Sequence, residues 1–489
     1  MKLSKTADLI IIGAGIVGCS IARELSRYSI SVLVLEAGFD VGEGATKANS
    51  GIIHAGFDAI PGTKKALYNV KGAEMYPSLC KSLGVAYKQC GALVIALSED
   101  DRRTIKALLN RGISNGVKGL EIIEKDEVLR LEPNINPDTV CALYAPTSAI
   151  VSPYEVAFAL ADDAACNGVE FLFNERVNNV SRNNEGYCIT TDTTQYNCHS
   201  FINCSGTSGA KIHNMISDTK LFSINRRGQY YLLDKLKELP FSRTIFQCPS
   251  TMGKGVLVSP TIHGNTIIGP TAEDIADPDD KSTTKEGLAD IVIKSRRIWP
   301  NAYFQNSITN FSGIRSHLES DDFIIGEIDN ASGAFEVIGI ESPGLTSAPA
   351  IAEDICNEIV NRFHLEHKKA IVQYKCPNRS FGEMSDIERE QAVISNKLNG
   401  NIICRCEMVT EAEIRAAINR PIKAKSIDAV KRRTRAGMGR CQGGFCTSRI
   451  MSIITEETGL SPVEITKSGG DSYLLMGDLT EFLRSTDNE

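Results

Sequence analysis

Apolar runs and a glycine-rich turn follow one another over the first 36 residues of the chain. An apolar run at 8–12 precedes the motif G-x-G-x-x-G, and helix-forming residues then continue to about Tyr28. A second β-rich run, Val32 to Leu35, ends at Glu36. The motif consists of Gly13, Gly15 and Gly18. This order predicts strand, turn, helix and strand, in which the helix N-terminus faces a dinucleotide pyrophosphate and Glu36 accepts hydrogen bonds from a ribose.

The middle of the chain has the pattern of a second, antiparallel sheet. A helical pattern begins near Ser152 and leads into a β-rich run at 170–177. Between 216 and 310, β-rich runs alternate with Gly and Pro, which is typical of strands joined by turns. The chain therefore carries strand-rich segments beyond those of the nucleotide-binding unit.

After residue 370 a polar stretch leads into short helical patterns. Thr410 and Glu413 form a capping box, Ser426 is suited to cap the next helix, and Gly437 is suited to end it. Cys446 lies at the start of a further apolar-periodic run. These signals predict a small, mostly helical C-terminal domain.

Composition narrows the class of protein without naming a function. The 489 residues suffice for roughly two to four domains. A net charge of −7 gives no reason to expect a nucleic-acid partner. The apolar stretch at 9–22 is shorter than the roughly 20 residues that cross a bilayer. We expect a cytoplasmic protein with no integral membrane segment. Peripheral association with a membrane is compatible with this composition.

The chain has fifteen cysteines, an odd number scattered along its length, so most are predicted to be reduced and buried. Only the last four have the spacing of ligands, as Cys404-x-Cys406 and Cys441-x4-Cys446. Four thiolates suit a [2Fe-2S] cluster, a zinc ion or a redox pair. Nearby arginines either form a solvated helix face or dock an acidic electron-transfer partner; they are Arg432, Arg433, Arg435 and Arg440.

Three segments carry a family resemblance. The segment "ATKANSGIIHAG" resembles the signature of the D-amino-acid-oxidase-like FAD-dependent oxidoreductases, and "FINCSGTSGAKI" and "VIGIESPGLTSAPAIAEDI" extend the match. The resemblance implies an α/β Rossmann-like FAD-binding domain interleaved with an α+β antiparallel-sheet substrate domain. The FAD-binding domain is expected at 1–90, 145–215 and 310–370, the substrate domain at 91–144 and 216–309, a linker at 371–400 and a [2Fe-2S] domain at 401–489.

By this resemblance, the residues expected to bind FAD include the glycine motif and several short loops. They are Gly13, Gly15, Gly18, Glu36, Ala37, Thr46, Asn49, Ser50, Gly51, Val177, Ser205, Gly206, Gly344, Leu345 and Thr346. The last three stand where a helix begins, so their N–H groups would face the flavin's pyrimidine edge.

The family oxidises its substrates by hydride transfer to flavin N5, which assigns expected roles to a few side chains. Arg315 corresponds to an arginine that grips the substrate's acidic group, although an ion pair with nearby acidic residues is the alternative. His54 is suited to accept the hydroxyl proton, or else only packs against the flavin. Arg226 and Arg227 are further candidates for anion contact, with a strand-edge charge as the alternative.

The C-terminal cysteines resemble the bacterioferritin-associated-ferredoxin-like module. Its combination with this flavin domain is similar to the anaerobic glycerol-3-phosphate dehydrogenases, which implies oxidation of a small anionic secondary alcohol, glycerol 3-phosphate, to dihydroxyacetone phosphate. Electrons would then leave through the [2Fe-2S] cluster to an electron-accepting protein. The segment "SGIIHAGFDAIPGTKKALYNVKGAEMY" also resembles L-2-hydroxyglutarate dehydrogenases, and the fold equally serves amine or amino-acid dehydrogenase subunits. A non-enzymatic role as an iron sensor is a further alternative.

Overall fold

The computed structural model describes residues 4–249, 255–376 and 380–477, which form two compact units. The first consists of the described residues of Met1–Ala37 and Val41–Lys375, and the second of those of Gly38–Asp40 and Cys376–Glu489. The linker predicted at 371–400 lies across this division, and its residues 377–379 are outside the described part of the chain.

The helices and strands have the following bounds. The helices are α1 (Ile16–Leu25), α2 (Lys64–Leu83), α3 (Glu99–Ser114), α4 (Lys125–Leu131), α5 (Pro153–Cys166), α6 (Gly209–Ile216), α7 (Lys285–Ser295), α8 (Gly344–Phe363), α9 (Asp386–Ser395), α10 (Glu411–Ile418), α11 (Ile427–Thr434) and α12 (Thr447–Thr458). The strands are β1 (Ser4–Ile12), β2 (Val32–Glu36), β3 (Ile52–Ile53), β4 (Tyr87–Lys88), β5 (Ala92–Ala96), β6 (Glu121–Glu124), β7 (Cys141–Ala145), β8 (Ala149–Val151), β9 (Glu170–Phe173), β10 (Val177–Asn183), β11 (Gly186–Thr191), β12 (Gln195–Asn203), β13 (Ser223–Leu233), β14 (Thr244–Gln247), β15 (Leu257–Pro260), β16 (Thr266–Gly269), β17 (Glu273–Ile275), β18 (Ser307–Leu318), β19 (Ile324–Glu327), β20 (Ala334–Ile338), β21 (Ile402–Cys404) and β22 (Val409–Thr410).

The first sheet confirms the predicted Rossmann-like topology. Strands β9, β2, β1, β12 and β20 pair in parallel in that order. Strands β10 and β11 add an antiparallel hairpin next to β12. Because helices cover parallel sheets, the central strands are buried throughout, and β1 reads as a continuous apolar run from Leu9 to Ile12. The ends of β1 and β12 therefore meet at one edge, beside the glycine turn.

The second sheet is mostly antiparallel, as the sequence predicts. Its order is β17-β13-β16-β15-β14-β5-β7-β6, and among the described strands of this sheet the pairing of β14 with β5 is the parallel one. Strand β18 pairs with β13 from Ser223↔Leu318 to Leu233↔Ser307. This ladder places 310–318 in the second sheet, whereas the predicted boundary assigns those residues to the FAD-binding domain. The reason is the long backbone pairing with β13, which the local pattern of β18 alone does not reveal.

The second unit is small and mostly helical. Capping boxes at Thr410 and Ser385 begin α10 and α9, and Ser426 caps α11 as predicted. Helix α11 ends at Arg435, which adopts a left-handed conformation with φ 69°, rather than at the predicted Gly437. In that conformation Arg435 Nε donates to Glu407 Oε2 at 2.9 Å, so an ion pair accompanies the turn.

A buried carboxylate joins two helices of the first unit. Asp163 on α5 has a side chain only 1% exposed, and Arg23 Nε of α1 donates to it at 2.8 Å. Arg27 also pairs with it, and the backbone N–H of Tyr374 donates to its second oxygen at 3.2 Å. Asp163 therefore ties α1, whose N-terminus carries the glycine motif, to the rest of the unit.

Removing this carboxylate is expected to destabilise the first unit. Asp163→Ala removes the anion that Arg27 and Arg23 share, and Arg23 retains only its contact with the more exposed Glu24 among the described ion pairs, which should lower the free energy of unfolding by about 3 to 5 kcal/mol. The single tryptophan, Trp299, is buried in the same unit, so its fluorescence during urea unfolding reports the change. Asp100→Ala is the matched control, because the Asp100 side chain is 84% exposed and pairs with the exposed Arg103. Equal unfolding midpoints for both variants would contradict this assignment.

Candidate functional site

The glycine motif forms a turn in which side chains have no room. Gly13 has φ 104°, and a Cβ there would lie 2.5 Å from the carbonyl oxygen of Cys204. A Cβ on Gly18 would lie 1.9 Å from the carbonyl oxygen of Gly13. Gly15 is the N-cap of α1 and has no side chain to satisfy the first N–H groups of the helix. The N–H groups of Gly15 and Val17 have no acceptor within the described residues, so this helix end can bind an anion.

The loop after β2 folds back over this turn. Thr46 Oγ1 accepts from the N–H of Ile16 at 3.0 Å, and the N–H of Gly42 donates to the carbonyl of Ala14 at 2.9 Å. Asn49 shapes the same loop by accepting from the N–H of Gly51 at 2.8 Å. Four of the candidates thus lie on one loop that is hydrogen-bonded to the glycine turn: Thr46, Asn49, Ser50 and Gly51.

Glu36 and the remaining predicted FAD contacts lie near the ends of first-sheet strands. Glu36 ends β2, and its Oε2 accepts from the N–H of Ala14 at 2.7 Å. Val177 begins β10, and Ala37 follows β2 directly. Ser205 and Gly206 follow β12, where Ser205 Oγ donates to Asn203 at 2.6 Å and Gly206 has φ 58°. Their FAD contacts stay predictions of the sequence.

Helix α8 begins at Gly344, where the sequence predicts, and its first turn has backbone N–H groups that are free to bind a ligand. The N–H groups of Leu345 and Thr346 have no acceptor within the described part of the chain. The carbonyl of Leu345 accepts from the hydroxyl of Tyr76 at 2.6 Å. A helix N-terminus with two unsatisfied N–H groups carries partial positive charge, which suits the electron-accepting edge of a flavin.

The backbone of His54 is held from two sides. Its N–H donates to Thr346 Oγ1 at 3.0 Å, and its carbonyl accepts from Asn69 Nδ2 at 3.0 Å. Its ring lies 5.9 Å from that of Phe246, centroid to centroid. His54 is therefore fixed against the start of α8, next to the donors that Leu345 and Thr346 present.

Arg315 and Arg226 lie opposite each other on β18 and β13, with their side chains on one face of the sheet. Arg226 pairs with Asp274 at 2.7 Å, which neutralises it. Arg315 donates to the carbonyl of Thr271 at 3.3 Å, and no carboxylate among the described residues forms an ion pair with it. This face packs against the loop after β2, because a Cβ on Gly313 would lie 2.0 Å from the carbonyl of Ala48. The guanidinium of Arg315 is thus a cation near that loop with no ion-pair partner among the described residues.

The side chain of Arg227 points to the opposite face of β13, and its guanidinium already forms ion pairs with two carboxylates. Its guanidinium pairs with Glu273 at 2.9 Å and with Asp280 at 2.7 Å, and it donates to Ser282 Oγ at 3.1 Å. Since adjacent strand residues alternate between faces, Arg227 cannot share the face of Arg315. These contacts argue against the anion contact predicted for Arg227.

Tertiary contacts bring further residues to the site that the sequence analysis missed. His317, two residues after Arg315 on the same face, contacts Glu341 Oε1 through Nδ1 at 2.9 Å. Lys65 Nζ lies 2.8 Å from Glu341 and 2.8 Å from Asp321, so an ammonium group stands among three residues, His317, Asp321 and Glu341, that are close enough together to resemble metal ligands. Although burial opposes it, Lys65 and His317 lower the pKa of Glu341. The alternation Gly313-x-Arg315-x-His317 is the one sequence signal that points to His317.

The four C-terminal cysteines come together in the second unit. Cys404 and Cys446 are buried, Cys441 is half-buried and Cys406 is exposed. The sulfurs of Cys406 and Cys441 are 3.6 Å apart. Two thiolates bound to one tetrahedral metal at about 2.3 Å lie roughly 3.8 Å apart, so this spacing fits two ligands of one iron or zinc ion.

The electrostatic surroundings of Cys404 differ from those of the isolated buried thiols. Burial raises the pKa of Cys80, Cys198 and Cys356 to about 12. The pKa of Cys404 is lowered to about 6, because it accepts a hydrogen bond from the thiol of Cys446 and further ones from backbone N–H groups. A thiolate favoured at neutral pH is the form that binds a metal, and a zinc ion would use it as readily as a cluster.

Comparison with known proteins identifies both parts of the chain. The family described as DAO, FAD dependent oxidoreductase, matches residues 8–358, and the BFD-like [2Fe-2S] binding domain matches residues 402–456. The second match favours the cluster over zinc. None of the helices described in the structure combines the length and apolar composition that a bilayer crossing requires.

Individual relatives agree with these family matches. A glycerol 3-phosphate dehydrogenase of Caloramator mitchellensis is 47% identical over 96% of this chain and 98% of its own length. An L-2-hydroxyglutarate dehydrogenase of Pongo abelii is 30% identical over 73% of this chain and 88% of its own length.

A solved structure supports the flavin site. The dithionite-reduced L-α-glycerophosphate oxidase of Mycoplasma pneumoniae, with FAD bound, is 31% identical and superimposes with a TM-score of 0.73, covering 76% of this chain and 99% of its own. The glycine turn and the two helix ends with unused donors fit FAD, and the four thiols fit a [2Fe-2S] cluster. The chain therefore belongs to the DAO family of FAD-dependent oxidoreductases and carries a C-terminal BFD-like [2Fe-2S] binding domain.

Proposed function

We propose that this protein is a dehydrogenase that oxidises glycerol 3-phosphate to dihydroxyacetone phosphate and passes the electrons on through its [2Fe-2S] cluster. The similarity to the Caloramator glycerol 3-phosphate dehydrogenase carries the proposal, because it extends over 96% of the chain and so includes the C-terminal domain. The match to the Mycoplasma oxidase, by contrast, covers 76% of the chain. A cluster domain is expected in an enzyme that gives its electrons to a separate acceptor.

Two side chains supply the protein's part of the reaction. Arg315 binds the phosphate of the substrate, since its guanidinium has donors to spare and no carboxylate partner in the described part of the first unit. His54 accepts the proton of the reacting hydroxyl, and its fixed backbone limits the positions that the imidazole can reach. FAD, when bound, accepts the hydride at N5.

The helix ends hold the cofactor in this proposal. The N-terminus of α1 binds the pyrophosphate, Glu36 binds the ribose, and the N-terminus of α8 faces the pyrimidine edge. Glu36 gives up its contact with Ala14 or shares it with the ribose. Phe246, next to His54, helps to exclude water from the reacting carbon.

A substrate panel tests the proposal directly. Anaerobic protein is mixed with glycerol 3-phosphate, L-2-hydroxyglutarate, L-lactate or amino acids, and bleaching of the flavin absorbance is followed. We expect rapid bleaching by glycerol 3-phosphate. Rapid bleaching by 2-hydroxyglutarate alone would establish the second candidate, which the similarity to the Pongo enzyme favours. Bleaching only by amino acids would establish an amine-oxidising enzyme.

Substitution of Arg315 should weaken use of the anionic substrate. Arg315→Ala removes the unpaired guanidinium and should reduce kcat/KM by an amount equivalent to about 2 to 5 kcal/mol, mainly through KM. Arg226→Ala is the matched control, because Arg226 lies directly opposite but is neutralised by Asp274. Similar kinetics for the two variants would remove Arg315 from the substrate site.

His317 is expected to act as a positioning residue for Arg315. On their common face of β18, Gly313 packs on the loop after β2 and His317 bonds to Glu341, so Arg315 is held between two fixed points. His317→Ala should raise KM about tenfold, equivalent to about 1.4 kcal/mol, with little change in kcat. His317→Asn should recover most of this loss, since its amide N–H can replace Nδ1. An equal loss in the Ala and Asn variants, or a loss in kcat alone, would contradict the assignment.

A further inference from the structure

The segment that holds the cluster ligands is strongly basic in an acidic chain. Residues 401–449 contain eleven Lys and Arg but only four Asp and Glu, a net charge of +7, whereas the whole chain carries −7. An excess of this size in 49 residues creates a positive surface unless internal ion pairs absorb it.

Several of these cations are internally paired. Arg432 and Arg433 both contact Asp40, which groups with the second unit, at 3.0 and 2.6 Å. Arg435 pairs with Glu407 at 2.9 Å. Three of the four arginines that the sequence offered as a docking patch, Arg432, Arg433 and Arg435, thus form ion pairs within the protein.

Three exposed residues lie directly beside ligand cysteines in the sequence. Arg405 stands between Cys404 and Cys406, Arg440 precedes Cys441, and Phe445 precedes Cys446. Arg405 and Arg440 are exposed, and Phe445 is 85% exposed. Each of the two cysteine pairs therefore has an arginine next to a ligand, and the second pair also has an aromatic ring.

We propose that Arg405, Arg440 and Phe445 form the docking face for an acidic, one-electron carrier protein. The proposal rests on the function proposed above and adds the surface and the kind of partner. The arginines attract and orient an acidic surface, and an exposed aromatic side chain is a common anchor at interfaces. Because Cys406 itself is exposed, a carrier on this face lies close to the cluster.

The electron count requires two encounters in each catalytic cycle. Oxidation of one secondary alcohol to a ketone releases two electrons and two protons. A one-electron carrier takes one electron at each encounter, so two oxidised carrier molecules are reduced for each substrate molecule, and the protons pass to the solvent. Such a carrier must bind and leave rapidly, which suits a small electrostatic face better than a large apolar one.

An acidic flavodoxin serves as the probe, and basic cytochrome c as its counterpart. Binding of each oxidised probe to the oxidised holoenzyme is measured by calorimetry at low salt. We expect flavodoxin to bind the wild type, with a Kd that rises with salt, and cytochrome c to bind at least tenfold more weakly.

Arg405→Glu and Phe445→Ala should each raise the flavodoxin Kd about tenfold. The matched controls, Arg103→Glu and Phe222→Ala, change exposed residues of the first unit and should leave it within twofold.

Several results would overturn the docking face. They are the absence of flavodoxin binding by the wild type, an unchanged Kd in both docking-face variants, or an equal rise of the Kd in the control variants. A monomer–dimer shift in Arg405→Glu would also overturn it, because the face would then belong to an interface with a second copy of the chain. Visible absorbance of the cluster confirms that the docking-face and control variants are loaded. Cys406→Ala separates the two proposals: if this variant lacks the absorbance of the cluster and still reduces flavodoxin at the wild-type rate, the route through the cluster fails, while the Kd comparison still decides the docking face.

Discussion

The close contact between α2 and the start of α8 is the constraint on which the flavin side of the site depends. Gly72 of α2 lies so near α8 that a Cβ there would be 2.0 Å from the carbonyl oxygen of Thr346. At this distance Tyr76 reaches the carbonyl of Leu345, and Asn69 reaches the carbonyl of His54. A larger residue at position 72 would push α8 outward and separate the candidate base from the helix end that faces the flavin.

The second sheet extends this arrangement to the substrate side. Its glycine at 313 meets the loop after β2, and His317 bonds to Glu341, three residues before α8 begins. The strand that carries Arg315 is therefore joined to the same loop and turn that border the flavin site. These contacts fix the start of α8, the candidate base and the candidate anion anchor relative to one another, so substrate binding need not order them.

The cysteines show how environment divides one residue type into two roles. Isolated thiols such as Cys80 and Cys198 lie in apolar surroundings, and burial keeps them protonated. Cys404 is equally buried but receives hydrogen bonds from Cys446 and from the backbone, which favour the thiolate. Spacing in the sequence separates these groups correctly, since ligand cysteines must come from tight turns whose N–H groups converge on sulfur.

The sequence by itself determined the elements whose signals are local. These are the glycine turn, the start of α8, the N-caps of α10 and α11, and the cysteine spacing, because each depends on neighbouring residues. Only the tertiary structure decided that Arg227 is neutralised while Arg315 is not, that β18 belongs to the second sheet, and that Arg435 rather than Gly437 ends α11. Those outcomes depend on partners 28 to 95 residues away in the sequence, and no local pattern records which partner a side chain meets.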